Sequence, residues 1–234
     1  MTTTTEAGSA APGLYRLLAW ASPAFPVGAF SYSHGLEAAV AAGAVHDRAT
    51  LETWVTAIAI RGSGRIDADI LVAAYRGSGD RGFAAANRLG LAYRATAELA
   101  LESAQQGSAF ASTCAAAWPH SARHTRRGEG PSESGDVCHA AAFAGAAARA
   151  GIALEDALLA YLHAFAGNLV SAGLRLGVVG QTDGQRILAA LEQPVAAAVS
   201  VALGRDPDDF GGASFAADLM SMAHETQYSR LFRS

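Results

Sequence analysis

The amino-acid sequence predicts an all-α protein, a single-domain multi-helix bundle built around a long buried central helix. Three observations carry that prediction. Apolar residues recur at the three- and four-residue spacing of one helix face nearly everywhere along the 234 residues. No stretch sustains the alternation of apolar and polar residues, rich in β-branched side chains, that a strand shows. Finally, the run from Ala157 to Leu174 carries no formal charge, which suits the centre of a bundle better than its surface.

Taken in order, residues 1–13 are mostly Thr, Ala and Gly and read as a disordered lead. They have neither the basic start nor the apolar stretch of a secretory signal. The helical domain is expected over 14–234. After a first helix, Pro23, Pro26 and Gly28 fix an irregular backbone from Ser22 to Glu37. Ser31 or Ser33 can then cap a helix starting near Gly35. Leu51, Trp54, Val55 and Ile58 share one face of a helix for which Thr50 is the expected N-cap. A short helix over Asp67–Tyr75 should stop at Arg76-Gly77-Ser78-Gly79. Asp80–Ser103 reads as one long helix with Arg94 and Glu98 spaced for an i,i+4 ion pair. Residues 119–136, rich in Gly, Ser, Arg and Glu, read as a surface loop, because Ala-rich helix flanks both sides. Leu154, Leu158, Tyr161, Leu162, Phe165 and Leu169 stripe the central helix, and Phe215, Leu219 and Met222 stripe the last one. The central run approaches membrane-spanning length. His163, Asn168, Ser171, Gly167 and Gly173 interrupt it, so no membrane span is expected.

Composition narrows the function classes. Hydrophobic residues are 51% of the chain and charged residues 16%, against a typical quarter. So little charge means either that the helices are mostly interior or that part of the surface is apolar and meets another protein, and both are expected. The net charge is −4 and no basic run exceeds Arg126-Arg127, so nucleic acid is not an expected partner. All 17 basic residues are Arg, which excludes a P-loop lysine and a Schiff-base lysine for pyridoxal chemistry. Two cysteines, Cys114 and Cys138, do not make a disulfide scaffold, and a cytoplasmic location is expected.

Two segments draw attention. Phe25, Phe30 and Tyr32 are unusual in a loop, where apolar rings must find something to bury against. Ser33 next to His34 invites a hydrolase reading, but there is no G-x-S-x-G elbow, and a structural or interaction role fits better. In the tail, 224–234, Tyr228, Leu231 and Phe232 lie at i, i+3, i+4, with Arg230 and Arg233 interleaved and flanking. Tyr, Phe and Arg are residue types enriched at interfaces and their hot spots. The tail either forms a last helix docked on its own core or orders against a partner protein. Glu98 and Glu102, like Arg48, Glu52 and Arg94, read as a solvated surface.

The pattern S-P-x-x-P-V-G-x-F-x-Y-S-x-G-L-E, Ser22 to Glu37, resembles the N-terminal signature of the urease accessory protein F (UreF) family. Three further blocks follow in order. The first is the helix ending at Glu102, Ser103 and Gly107. The second is the run Asn168-Leu169-Val170-Ser171-Ala172, Arg175 and Gly180 to Gln185, and the third is the tail from His224 to Ser234. Val178, Ala144 and Ala95 depart from the family pattern, where Pro, Gly and Glu are usual.

The resemblance implies a helical assembly protein without catalytic residues, resident cofactor or resident metal. It would be a homodimer that binds UreD (also called UreH) and recruits the GTPase UreG, so that nickel is inserted into apo-urease. The residues it marks for partner binding are Phe30, Tyr32, Ser33, Glu37, Glu102, Arg175, Gln181, Tyr228, Arg230, Leu231, Phe232 and Arg233. The loop and the tail are expected to lie side by side and form the UreD-facing surface. Arg175 and Arg94 are candidates for assisting GTP hydrolysis in trans. The alternative is a nickel carrier, for which Cys114, His120, His124, Cys138 and His139 supply suitable ligand types at no recognised metal spacing.

Overall fold

Every regular element among the described residues of the computed structural model (10–77, 80–121 and 136–234) is helical. Helix α1 (Ala10–Trp20) starts inside the segment read as a lead and turns Leu17 and Trp20 inward. The chain then passes through a 3-10 turn, Ala29–Ser31, into α2 (Leu36–Ala41). Helix α3 (Arg48–Arg61) is capped by Asp47, not by Thr50. Asp47 Oδ1 accepts from the Thr50 N–H at 2.8 Å, and the Asp47 N–H donates to Thr50 Oγ1 at 3.0 Å. This reciprocal box makes Thr50 the third residue of the helix. Gly62 alone separates α3 from α4 (Ser63–Arg76), which begins four residues before the expected Asp67 and stops at the expected glycine turn.

The long helix expected over Asp80–Ser103 is in fact two, α5 (Asp80–Ala92) and α6 (Ala97–Ala117). Thr96 starts the second by accepting from the Leu99 N–H. The break carries Arg94 inward, so the Arg94–Glu98 pair does not form. Instead the Arg94 side chain, 6% exposed, donates to Asp67 Oδ1 at 2.7 Å, and the Tyr161 hydroxyl donates to Asp67 Oδ2 at 2.9 Å. Burial works against the Arg94 cation, but the Asp67 carboxylate outweighs it and holds the guanidinium pKa above its ordinary value.

A second 3-10 turn, Pro119–Ser121, follows α6; most of the expected loop, 122–135 with His124, lies outside the described residues. The remaining helices are α7 (His139–Arg149), α8 (Leu154–Arg175), α9 (Gln181–Ala190), α10 (Glu192–Gly204) and α11 (Phe215–His224). Helices α4 and α8 form the centre. The first packs against α3, α5, α7, α8 and α10, and the second also meets α3, α7, α9 and α10. Ile70 and Leu71 of α4 and Leu158, Leu162 and Leu169 of α8 are fully buried, each worth about 1.5–3 kcal/mol. Helix α8 is long and apolar enough to cross a membrane, and here its apolar face is spent on these neighbours. Residues 181–204 pass the same test of length and composition, but a turn at Leu191 divides them into α9 and α10. Helix α7 is buried from Ala140 to Ala147, its alanines allowing close approach of α4 and α6. Phe110 and Phe143 gather Trp20, Phe25, Trp118 and Tyr161 into one aromatic cluster, with Trp20 edge-on to Phe110 at 5.9 Å.

Helix α11 faces the other way from its expected stripe. Phe215, Leu219 and Met222 are exposed, while Ala217, Ser221 and His224 face inward. The cause lies at Gly35, whose φ is +74° and whose missing Cβ would sit 2.6 Å from the Ser221 backbone nitrogen. Only the small-residue side of α11 fits against a backbone that close.

Candidate functional site

The loop Ser22–Glu37 is anchored by rings rather than bristling with them. Phe25 is buried against Phe110 and Trp118. Tyr32 is 2% exposed, and its hydroxyl donates to Gln105 Oε1 at 2.6 Å. Burial pushes that phenol's pKa up. Of the loop's three rings, only Phe30 faces out, at 67% exposure. His34 takes a positive φ of 53°, turning its Nε2 to Glu102 Oε1 at 3.0 Å and its ring edge to Phe165. The Ser33 hydroxyl donates to the Ser234 carbonyl and accepts from the Glu37 N–H, but the N-cap of α2 is Gly35 and neither Ser31 nor Ser33 occupies it. Ser33 and His34 therefore serve different partners, and no proton relay links them.

The tail is not a helix. After α11 it unwinds and returns along the loop: the Arg233 N–H donates to the Ser31 carbonyl at 2.7 Å, and the Ser33 N–H donates to the Ser234 carbonyl at 2.8 Å. Glu37, at the start of α2, accepts from the Leu231 and Phe232 N–H groups at 2.7 and 2.9 Å. The Phe232 ring is buried under the Arg175 guanidinium, 4.2 Å from the ring centroid. Arg233 reaches Gln105, and the Ser234 hydroxyl reaches Glu102. Tyr228 and Leu231 remain exposed. The tail thus does part of what each sequence reading asks: it docks on the core and still presents apolar side chains.

Beneath the tail lies a buried polar cluster that spacing alone did not reveal. Glu98 and Glu102, which read as solvated, are turned inward on α6. Glu98 meets His224 Nδ1 at 2.7 Å and Arg230 at 2.6 Å. Glu37 meets His224 Nε2 at 3.1 Å, and Gln106 donates to Glu102 at 2.8 Å. Tyr32, Ser33, Glu37, Glu102, Arg175, Arg230, Leu231, Phe232 and Arg233 are therefore brought together, with Phe30 and Tyr228 exposed on the same two segments. Gln181 is exposed at the start of α9, outside this group. Sequence reasoning missed His34, Glu98 and His224 as members. The available signal was an i,i+4 glutamate pair on a helix whose partner segments each carry a histidine. Arg48 and Glu52 lie at the surface, as read from the sequence, and pair there at 3.0 Å.

The nickel-carrier residues are arranged otherwise. Burial pushes the Cys114 and Cys138 thiols up to about 12 and about 11, away from the thiolate a metal binds. His139 packs among Phe110, Phe143 and Tyr161, and burial lowers its pKa to about 4. His120 is exposed on its 3-10 turn. Among the described residues no group of three or more His, Cys, Asp or Glu side chains is placed to hold a metal ion.

The family model described as UreF matches residues 45–192. Over 240 residues the chain is 45% identical to the urease accessory protein UreF of Granulibacter bethesdensis, covering 99% of this chain and 97% of that protein. The chain belongs to the UreF family. Relatives from Bradyrhizobium sp. (strain ORS 278) and Rhodopseudomonas palustris (strain BisB18), each also named urease accessory protein UreF, are both 44% identical. They cover 99% and 96% of this chain, and 100% and 93% of their own lengths. The matched UreF region stops short of the loop and the tail, whereas these relatives span nearly the whole chain. The family resemblance read from the four blocks is borne out.

Proposed function

We propose that this UreF-family chain is a urease accessory protein that acts in urease maturation as a scaffold and performs no covalent chemistry. In this reading a cytoplasmic homodimer bridges UreD (UreH) and the GTPase UreG, and the assembly inserts nickel into apo-urease in a GTP-dependent step. The observation that carries the reading is the joined loop and tail. Both are pinned by buried polar contacts, yet they hold Phe30, Tyr228 and Leu231 outward, and α11, which leads into the tail, leaves Phe215, Leu219 and Met222 exposed as well. Ordered apolar surface of this kind marks a protein contact, here with UreD.

A second apolar face supports the homodimer. Leu14, Tyr15 and Leu18 of α1 are exposed beside an open groove of about 1130 Å³ that runs on to Leu159, Leu188 and Val195. Arg175 sits at the tail and keeps its place as a candidate for assisting GTP hydrolysis; Arg94, paired with Asp67 in the core, does not.

Co-purification of the tagged full chain with UreD and UreG is the test. The double variant Tyr228→Ala/Leu231→Ala and the deletion of residues 228–234 should both stay helical by circular dichroism and lose UreD. A folded double variant that still retains UreD would sink the assignment of this surface. Equilibrium dialysis of the purified chain against Ni²⁺ should show no tight stoichiometric binding, and such binding would favour the carrier instead.

A further inference from the structure

The two carboxylates that hold the tail also hold a buried histidine. His224, the last residue of α11, is 0% exposed, and each of its ring nitrogens faces a glutamate oxygen. Nδ1 lies 2.7 Å from Glu98 Oε2, and Nε2 lies 3.1 Å from Glu37 Oε2. An ionised carboxylate can only accept hydrogen bonds, and a neutral imidazole carries a single N–H. A neutral His224 could satisfy one glutamate, but it would set a bare lone pair against the other.

We propose that His224 is a proton-operated latch: as a doubly protonated imidazolium it clasps Glu37 and Glu98 and keeps the tail docked, and loss of its proton releases the tail. Glu37 uses the same carboxylate to accept from Leu231 and Phe232, and Glu98 uses its other oxygen for Arg230. The tail and the imidazole therefore share their receptors. The charges around the ring come from three elements. Glu37 belongs to α2 and Glu98 to α6, while Arg230 comes from the tail, behind Glu98. Glu225, next in the chain, is turned to the Ala97 N–H. The His34–Glu102 pair lies further along α6, under Ser234. With the imidazolium present, two negative charges meet two positive ones. Without its proton, one negative charge is left uncompensated in a buried site.

The direction of the pH effect follows. A histidine that gains carboxylate partners stabilises the docked state while protonated and loses that contribution as pH rises. The tail should therefore hold while both ring nitrogens of His224 carry protons and loosen once one is lost. The latch does not depend on which protein the tail meets, so its test needs no partner.

Two measurements on the full chain decide it. Imidazole ¹⁵N NMR, with the His224 signal assigned from its loss in His224→Gln, should show both nitrogens protonated while the tail is docked. Hydrogen exchange at the Leu231 and Phe232 amides, corrected for its intrinsic pH dependence, should then lose protection by about tenfold or more across the same transition. In Glu98→Gln the carboxamide can donate to a neutral Nδ1, so protection should persist into base. Arg230→Met, which removes only the arginine contact, should keep the pH dependence. A single-N–H imidazole in the docked state, tail protection that ignores pH, or an unchanged transition in Glu98→Gln would each overturn the latch.

Discussion

At the residue scale, Arg94 shows what spacing cannot reveal. Four residues from Glu98, it belongs on the solvated side of one long helix. The break before Ala97 delivers it instead to Asp67, where each charge depends on the other for compensation. Arg94→Met should therefore cost about 3–5 kcal/mol in chemical denaturation, because Asp67 is left buried and unpaired. The double variant Asp67→Leu/Arg94→Met should recover most of that loss, less the hydrogen bond that Tyr161 gives up. If the double variant falls as far as the single, the pair is not the source of the cost. His139 makes the opposite bargain with burial. Its pKa is lowered to about 4, so between an unfolded value near 6.5 and that point the unfolded chain takes up a proton that the folded one refuses. Stability should thus fall as pH drops through this window, by at most about 3 kcal/mol. His139→Phe, which fits among Phe110, Phe143 and Tyr161, should flatten that slope in denaturation curves taken from pH 7 to pH 4.

At the element scale, periodicity finds helices well and helix ends badly. The stripes of α3 and α8 were legible because packing on several neighbours makes one face strongly apolar. The break between α5 and α6 was not, since Tyr93 to Thr96 contains neither Gly nor Pro. Its single cue is Thr96, a residue type that caps helices but also occurs within them. The orientation of α11 was illegible for a different reason. Its large apolar residues do form a stripe, and the stripe faces outward because the contact with α2 selects small residues at Gly35. The loop and the tail could be recognised as special from their residues, but the histidine–glutamate cluster between them unites side chains more than 180 positions apart in the chain. No local pattern encodes such a meeting. Gly35→Ala tests how much rests on that close approach. It adds a Cβ 2.6 Å from the Ser221 nitrogen at a positive φ, combining overpacking with left-handed strain. The expected loss is about 2–4 kcal/mol, and exchange protection should fall first in α11 and the tail. A neutral Gly35→Ala would mean that α11 docks without this contact.

At the scale of the whole molecule, the shortage of charge is answered by where the apolar surface lies. A chain with 16% charged residues still leaves Leu14, Tyr15 and Leu18 on α1, and Phe215, Leu219 and Met222 on α11, in solvent. These two faces belong to different elements, and the proposed scaffold needs both: one for a second copy and one for UreD. A two-fold dimer uses the same patch on each subunit, and a stable one buries about 800 Å² per partner. The exposed row of α1 beside the groove that runs to Leu159 and Val195 offers an element and a recess on the same face, as a self-complementary contact requires. Leu18→Arg places a charge at its centre, where an unpaired cation in a desolvated interface is costly. The variant should run as a folded monomer in light scattering coupled to gel filtration, while the wild type runs as a dimer. Because α11 is untouched, the monomer should still bind UreD, with an apparent affinity within about tenfold of wild type. A Leu18→Arg protein that remains dimeric would move the two-fold contact elsewhere. One that stays folded but loses UreD along with its partner copy would show that the two faces do not act independently.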